Sequence, residues 1–243
     1  MSLIGPTINA AGIILGCCLA LVFKKKISPQ YQLTLKIGLG VATVFLGLKL
    51  AVTSFHGSIG QIAKQFAIVI LAMIIGNLLG KLLHFQKTSN ALGRYSARVL
   101  SRPPKGRDRG NSGFLVTTIL YCIAPLAFFA SVQEGLNEGW AHLFVVKAIM
   151  DGAAAVAFAS MFGWSAILSV IPVLAFQGVL IRATQLLVPF LQNHPAPLID
   201  SINITNGILI ACVALVMLQV KRIAVTDYLP SLAVAPLLMN WLW

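Results

Sequence analysis

The stretch Lys147-Ala-Ile-Met-Asp151-Gly-Ala-Ala-Ala-Val-Ala-Phe-Ala-Ser160 sets one base and one acid in a run that is otherwise almost wholly apolar. A spacing of four places Lys147 and Asp151 on one helical face about a turn apart, where each partly neutralises the other. Similar apolar runs recur along the chain, which has 243 residues, 58% hydrophobic and 10% charged. A soluble domain carries about a quarter charged residues. This reads as an all-α, multi-pass membrane protein. A charge at membrane depth costs at least ~2.5–3.5 kcal/mol, so such residues face the protein interior and mark a pathway or site. The competing reading of the pair is a self-neutralised lock between helices.

Spans of about 20 residues with short loops predict about eight transmembrane segments in a single membrane domain, 1–243. The first three lie within 5–83, a basic cytoplasmic loop covers 84–112, and the rest fill 113–243. The net charge of +12 would point to nucleic acid if it were spread over a soluble fold. Here it gathers in loops beside apolar runs, which is the positive-inside pattern and leaves no nucleic-acid role. Lys24, Lys25 and Lys26 follow the first apolar run and no cation precedes it, so a retained first helix with its N-terminus outside is expected. Eight crossings put both termini on that side.

Gly12 with Gly16, and Gly76 with Gly80, stand in GxxxG spacing and serve close helix contact, with Asn77 between the second pair. Pro125 predicts a mid-membrane break in the fourth span, 113–132, which leads to an acidic turn at Gln133–Gly139. Pro172 and Gln177-Gly178 mark the sixth, 165–191, as discontinuous. The last apolar run, 229–243, would rise only ~22 Å, so it is a short Trp-anchored span or a re-entrant half-helix. Spans 1–3 and 6–8 would then run oppositely, as in an inverted repeat; Pro29 with Gly40 roughly matches Pro197 with Gly207. Cys17, Cys18, Cys122 and Cys212 lie in apolar runs without ligand spacing and read as packing residues.

The long polar segment carries Lys87, Arg94, Arg98, Arg102, Lys105, Arg107 and Arg109 against Asp108. Residues 88–101 predict an amphipathic helix that can rest on anionic lipids, followed by the helix-breaking Pro103-Pro104-Lys105-Gly106.

Several short motifs resemble a known group of proteins. They are Gly5-Pro6-Thr7-Ile8-Asn9, Gln133-Glu134-Gly135-Leu136, the Lys147–Gly152 core, Gln177-Gly178 and Leu229-Pro230-Ser231-Leu232. Their order and spacing are similar to those of the YdfK/YqgA-like family of bacterial multi-pass inner-membrane proteins of unknown function. The resemblance implies an inner-membrane location and a transporter-like architecture, without a substrate. The chain departs from the family pattern at Glu134, where Asp is expected, at Ala124 and Ala130 for Gly, and at Asp227 for Asn.

The polar residues at predicted membrane depth include Asn9, Asn77, Ser131, Gln133, Lys147, Asp151, Ser169, Gln177 and Asn206. If their helices converge, they line one cavity in which Asp151 is the ionisable acceptor and the amides orient a ligand. The leading expectation is a transporter of a small ion or polar solute. Asp151 is the proton or cation site, Lys147 its counter-charge, and Glu134 an outer-mouth attractor or a solvated loop acid. The alternatives are an ion channel, or a scaffold or sensor acting through the basic loop. No enzyme is expected: HExxH is absent, and His56, His84, His142 and His194 fall at loop or interface positions. No cofactor is implied, the metal is undetermined, and homo-oligomerisation is compatible with the pattern.

Overall fold

The computed structural model describes residues 3–23, 28–102, 107–136, 141–194 and 196–243. The expectations for Lys24–Lys26, Pro103–Gly106 and Asn137–Gly139 lie outside the described residues. Among those described, the chain is all α-helix with one short 3₁₀ turn and no strand. The helices are α1 (Ile4–Phe23), α2 (Pro29–Thr53), α3 (Ile59–Leu82), α4 (Phe85–Ser101), α5 (Arg107–Ile123) and α6 (Pro125–Leu136). They are followed by α7 (His142–Phe162), α8 (Ser165–Leu168), α9 (Val170–Gln192), α10 (Leu198–Met217), the 3₁₀ turn Val225–Tyr228 and α11 (Ser231–Leu242).

Among the described residues six segments are long and apolar enough to cross a membrane, or seven when α5 and α6, bent by 58°, are counted as one broken span. The expected eighth is α11. With 12 residues, it rises only about 18 Å against a hydrocarbon thickness of about 30 Å.

Two local differences from expectation have clear causes. The acid of the expected outer turn, Glu134, belongs to the last helical turn of α6 and is buried. In the sixth segment the break falls at Ser169, between α8 and α9, while Gln177-Gly178 lies in unbroken helix. Pro172 explains the position, since its ring and missing N–H disrupt the turn before it, where Leu168 would need the fourth-next amide. A turn at Phe162-Gly163-Trp164 separates α7 from α8; Gly163 has φ +71°, which glycine adopts without strain.

The chain forms two compact units, Met1–Leu39 with Asn90–Arg182, and Gly40–Ser89 with Ala183–Trp243. In the first, α1 and α7 touch backbone to backbone. A Cβ on Gly12 would lie 2.5 Å from the Ala148 carbonyl oxygen, one on Gly152 would lie 2.8 Å from that of Gly12, and Gly16 meets the Gly152 carbonyl. The contacts advance together along both helices, so the two run parallel. The alanines of α7 complete this seam, and Ile13, Cys17, Tyr121, Ala155, Ala159 and Val173 form the adjoining core. This is small-residue packing, in which van der Waals contact replaces the hydrophobic drive absent in lipid.

The second unit uses the same device. Gly47 and Gly207 each leave room for the other's carbonyl, at 2.7 and 2.5 Å from a built Cβ, and Gly40 lies against Leu218, so α2 and α10 cross antiparallel. Gly76 and Gly80 of α3 accommodate Ser231 and the Asp227 backbone. Asp227 then accepts from the Gln86 amide at 2.7 Å, at the start of α4, and Thr226 Oγ1 donates to Gln86 Oε1 at 2.5 Å.

Candidate functional site: a buried charge pair at a broken helix

Pro125 has no amide hydrogen, so the carbonyl four residues earlier, that of Tyr121, loses its helical donor. In an apolar surrounding an unpaired carbonyl costs several kcal/mol. Lys147 supplies the missing donor: its Nζ lies 3.1 Å from Tyr121 O and 2.5 Å from Asp151 Oδ2. Lys147 and Asp151 are both buried, so the ion pair is withdrawn from water. The Tyr121 ring stands edge-on to Phe158 with centroids 5.8 Å apart, and its hydroxyl donates to the Asp151 carbonyl at 3.4 Å. One ammonium thus ties the charged turn of α7 to the broken end of α5.

Glu134 is not a solvated loop acid. It is 1% exposed, and its Oε1 accepts from the Gly5 amide at 2.9 Å, in the first turn of α1. The free amides and dipole of a helix N-terminus stabilise a carboxylate there. Gly5 is required for this approach, because a side chain at that position would overlap Glu134 Oε2 and the Phe144 ring. Glu134 Oε2 itself has no hydrogen-bond partner.

Asn9 follows Gly5 by four residues and so lies on the same face of α1. It is fully buried, and neither its Oδ1 nor its Nδ2 has a partner. The start of α1 also borders α9, where Leu3 lies 3.9 Å from a Cβ built on Gly178. The adjacent Gln177 is fully buried with both amide atoms unpartnered. Gln133 is buried beside Glu134, and Ser131 turns back to its own helix, donating to Ala127 O at 2.7 Å.

Six of the seven expected site residues, Asn9, Gln133, Glu134, Lys147, Asp151 and Gln177, therefore belong to one unit and are buried there. Asn206 belongs to α10 of the second unit, where it too is fully buried. Among the described residues no three His, Cys, Asp or Glu side chains gather as a metal group. The sequence reading missed two partners, the Tyr121 carbonyl and the Gly5 amide. That the Tyr121 carbonyl is freed follows from its place four residues before Pro125, but that Lys147 reaches it does not; the second depends on a contact between residues 129 positions apart.

A family model described as "Protein of unknown function (DUF554)" matches residues 4–240. The chain belongs to this family. It is 26% identical over 236 residues to the "Uncharacterized membrane protein YdfK" of Bacillus subtilis (strain 168), covering 97% of this chain and 95% of that protein. It is 24% identical over 241 residues to the "Uncharacterized protein YqgA" of Escherichia coli (strain K12), covering 98% and 97%. No solved structure matches. The matches run through both units, and the protein is a membrane protein by its apolar helices as well as by the likeness to a named one.

Proposed function

We propose that this protein is a carrier of a small cation or cationic solute in a bacterial inner membrane, with its N-terminus outside. The observation that carries the reading is the double role of Lys147, which neutralises Asp151 and also satisfies the carbonyl freed by Pro125. Carriers build their sites at discontinuous helices, where freed backbone groups and ionisable side chains meet. A proton or cation taken by Asp151 weakens its hold on Lys147. The ammonium is then free to leave Tyr121 O, and the bend between α5 and α6 loses its tie. Two states of the bend, one favoured when Asp151 is ionised and one when it is neutralised, are what a ligand must distinguish to drive alternation.

Charge bookkeeping in the first unit supports a cation. Among the described residues of this unit the buried ionisable carboxylates are Glu134 and Asp151, against one buried amine, Lys147. Ionised, these sum to a single negative charge, and the start of α1 offsets only part of it. Glu134 Oε2, Asn9 and Gln177 supply unpartnered polar atoms of the kind that take a small ion or ammonium group.

Flux into proteoliposomes holding the purified chain tests the proposal, with alkali cations, protons and small amines as cargo. Asp151→Asn is expected to abolish the pH and ion dependence of uptake. Unchanged flux and unchanged pH dependence in Asp151→Asn would overturn the mechanism, and diffusive flux without saturation would make the protein a channel.

A further inference from the structure

The second unit contains a pocket of about 390 Å³ between the last turns of α3, the C-terminal half of α10 and the segment that follows it. Its wall includes Lys81, Lys221 and Arg222, with Asn77 and Tyr228, while Met73, Leu209 and Cys212 supply the apolar part. The three cations come from two chain segments, and none of them is in an ion pair among the described residues. No acid lines the pocket; the nearest in sequence, Asp227, is occupied by the Gln86 amide. Asn77 Oδ1 is buried and without a hydrogen-bond partner.

Basic residues at the ends of apolar helices set topology, and that accounts for the sign of these charges. It does not account for their convergence on one cavity. The order along the helices gives the pocket a polarity. Met73 lies about 12 Å before Lys81 along α3, and Leu209 lies within α10 while Lys221 and Arg222 follow its end. The cations therefore gather at the helix-end side and the apolar lining at membrane depth.

We propose that this pocket binds one anionic phospholipid, with the phosphodiester held by Lys81, Lys221 and Arg222 and the adjoining glycerol and first acyl carbons against Met73, Leu209 and Cys212. Arg can bind a phosphate with two parallel hydrogen bonds, Lys adds charge, and the Tyr228 hydroxyl can donate to a remaining oxygen. Basic pockets between spans on the cytoplasmic side are suited to such headgroups. The assignment is independent of the transport reading and of the basic face of α4.

The test titrates dioleoyl phosphatidylglycerol, and in parallel dioleoyl phosphatidylcholine, onto the full-length protein in neutral detergent, with bound lipid counted by native mass spectrometry. Phosphatidylglycerol is expected to be retained in preference to phosphatidylcholine. Lys81→Gln, Lys221→Gln and Arg222→Gln should each weaken its binding roughly fivefold. Lys49→Gln makes the same change in net charge at an exposed position outside the pocket and should leave binding unchanged. Equal weakening by Lys49→Gln, or none in the three pocket variants, overturns the site. Inorganic phosphate is the third arm: if it stabilises the protein against heat through the same three residues while phosphatidylglycerol shows no preference, the ligand is a free phosphate and the lipid assignment fails. These exposed single substitutions are judged folded when the thermal transition in detergent matches the wild type.

Discussion

Lys147 donates to the Tyr121 carbonyl at 3.1 Å, and that carbonyl is the one Pro125 leaves without a helical partner. The contact gives the buried ion pair a structural purpose as well as a charge. It also makes the cost of removing either charge depend on the state of the α5–α6 break, which can be measured.

Lys147→Met should destabilise the protein by about 3–5 kcal/mol, because Asp151 is left as a buried, uncompensated charge. Lys147→Met with Asp151→Leu should recover a large part of this loss, since no isolated charge remains. Chemical or thermal unfolding in detergent, arranged as a double-mutant cycle, reads the difference; additive losses would mean that the two residues do not act as a pair.

Pro125→Ala restores an amide hydrogen within reach of Tyr121 O. In that background Lys147→Met should cost less than in the wild type by about 1–3 kcal/mol, the range for a buried polar group left unsatisfied. The same cycle with Pro125→Ala checks it, and an identical cost in both backgrounds would detach the lysine from the break.

Gly12→Val and Gly152→Val should each destabilise by about 1–3 kcal/mol or more, because the added side chain meets backbone that cannot move aside. Gly38 and Gly93 have nothing within 4 Å of a built Cβ. Their alanine substitutions, both within helices, should be neutral or slightly stabilising by about 0.5–1 kcal/mol. Comparing the four unfolding midpoints separates steric contact from a general cost of replacing glycine.

Glu134→Gln keeps an acceptor for the Gly5 amide but loses the charge that complements the start of α1. A loss of about 0.3–2 kcal/mol is expected. Gly5→Ala should be worse, since its methyl displaces both Glu134 and Phe144. Protease protection of the N-terminal segment, read with unfolding midpoints, tests the order; a milder effect for Gly5→Ala would contradict the cap.

Much of this molecule is legible without coordinates because lipid leaves the backbone few choices. Apolar runs of span length must be helices, since only a helix pairs its own amides and carbonyls. The positions of α1, α3 and α7, the break at Pro125 and the Gly163 turn follow from residue type and spacing alone. The Lys147–Asp151 pair is of the same kind: a separation of four on a helix is contact by geometry.

What local pattern could not supply was anything set by distant partners. Glu134 looks like a loop acid because glycine and charge crowd its neighbourhood. It is buried because the start of α1, 129 residues away, offers free amides and a glycine gap. The last apolar run, expected as a short span or a re-entrant half-helix, holds the 12-residue α11. Sequence by itself determined the helices, the break and the charge pair, because hydrogen bonding and helical period act over a few residues. Tertiary structure alone decided which carbonyl Lys147 serves, what Glu134 caps and which cations share a pocket, because those are meetings between segments far apart in the chain.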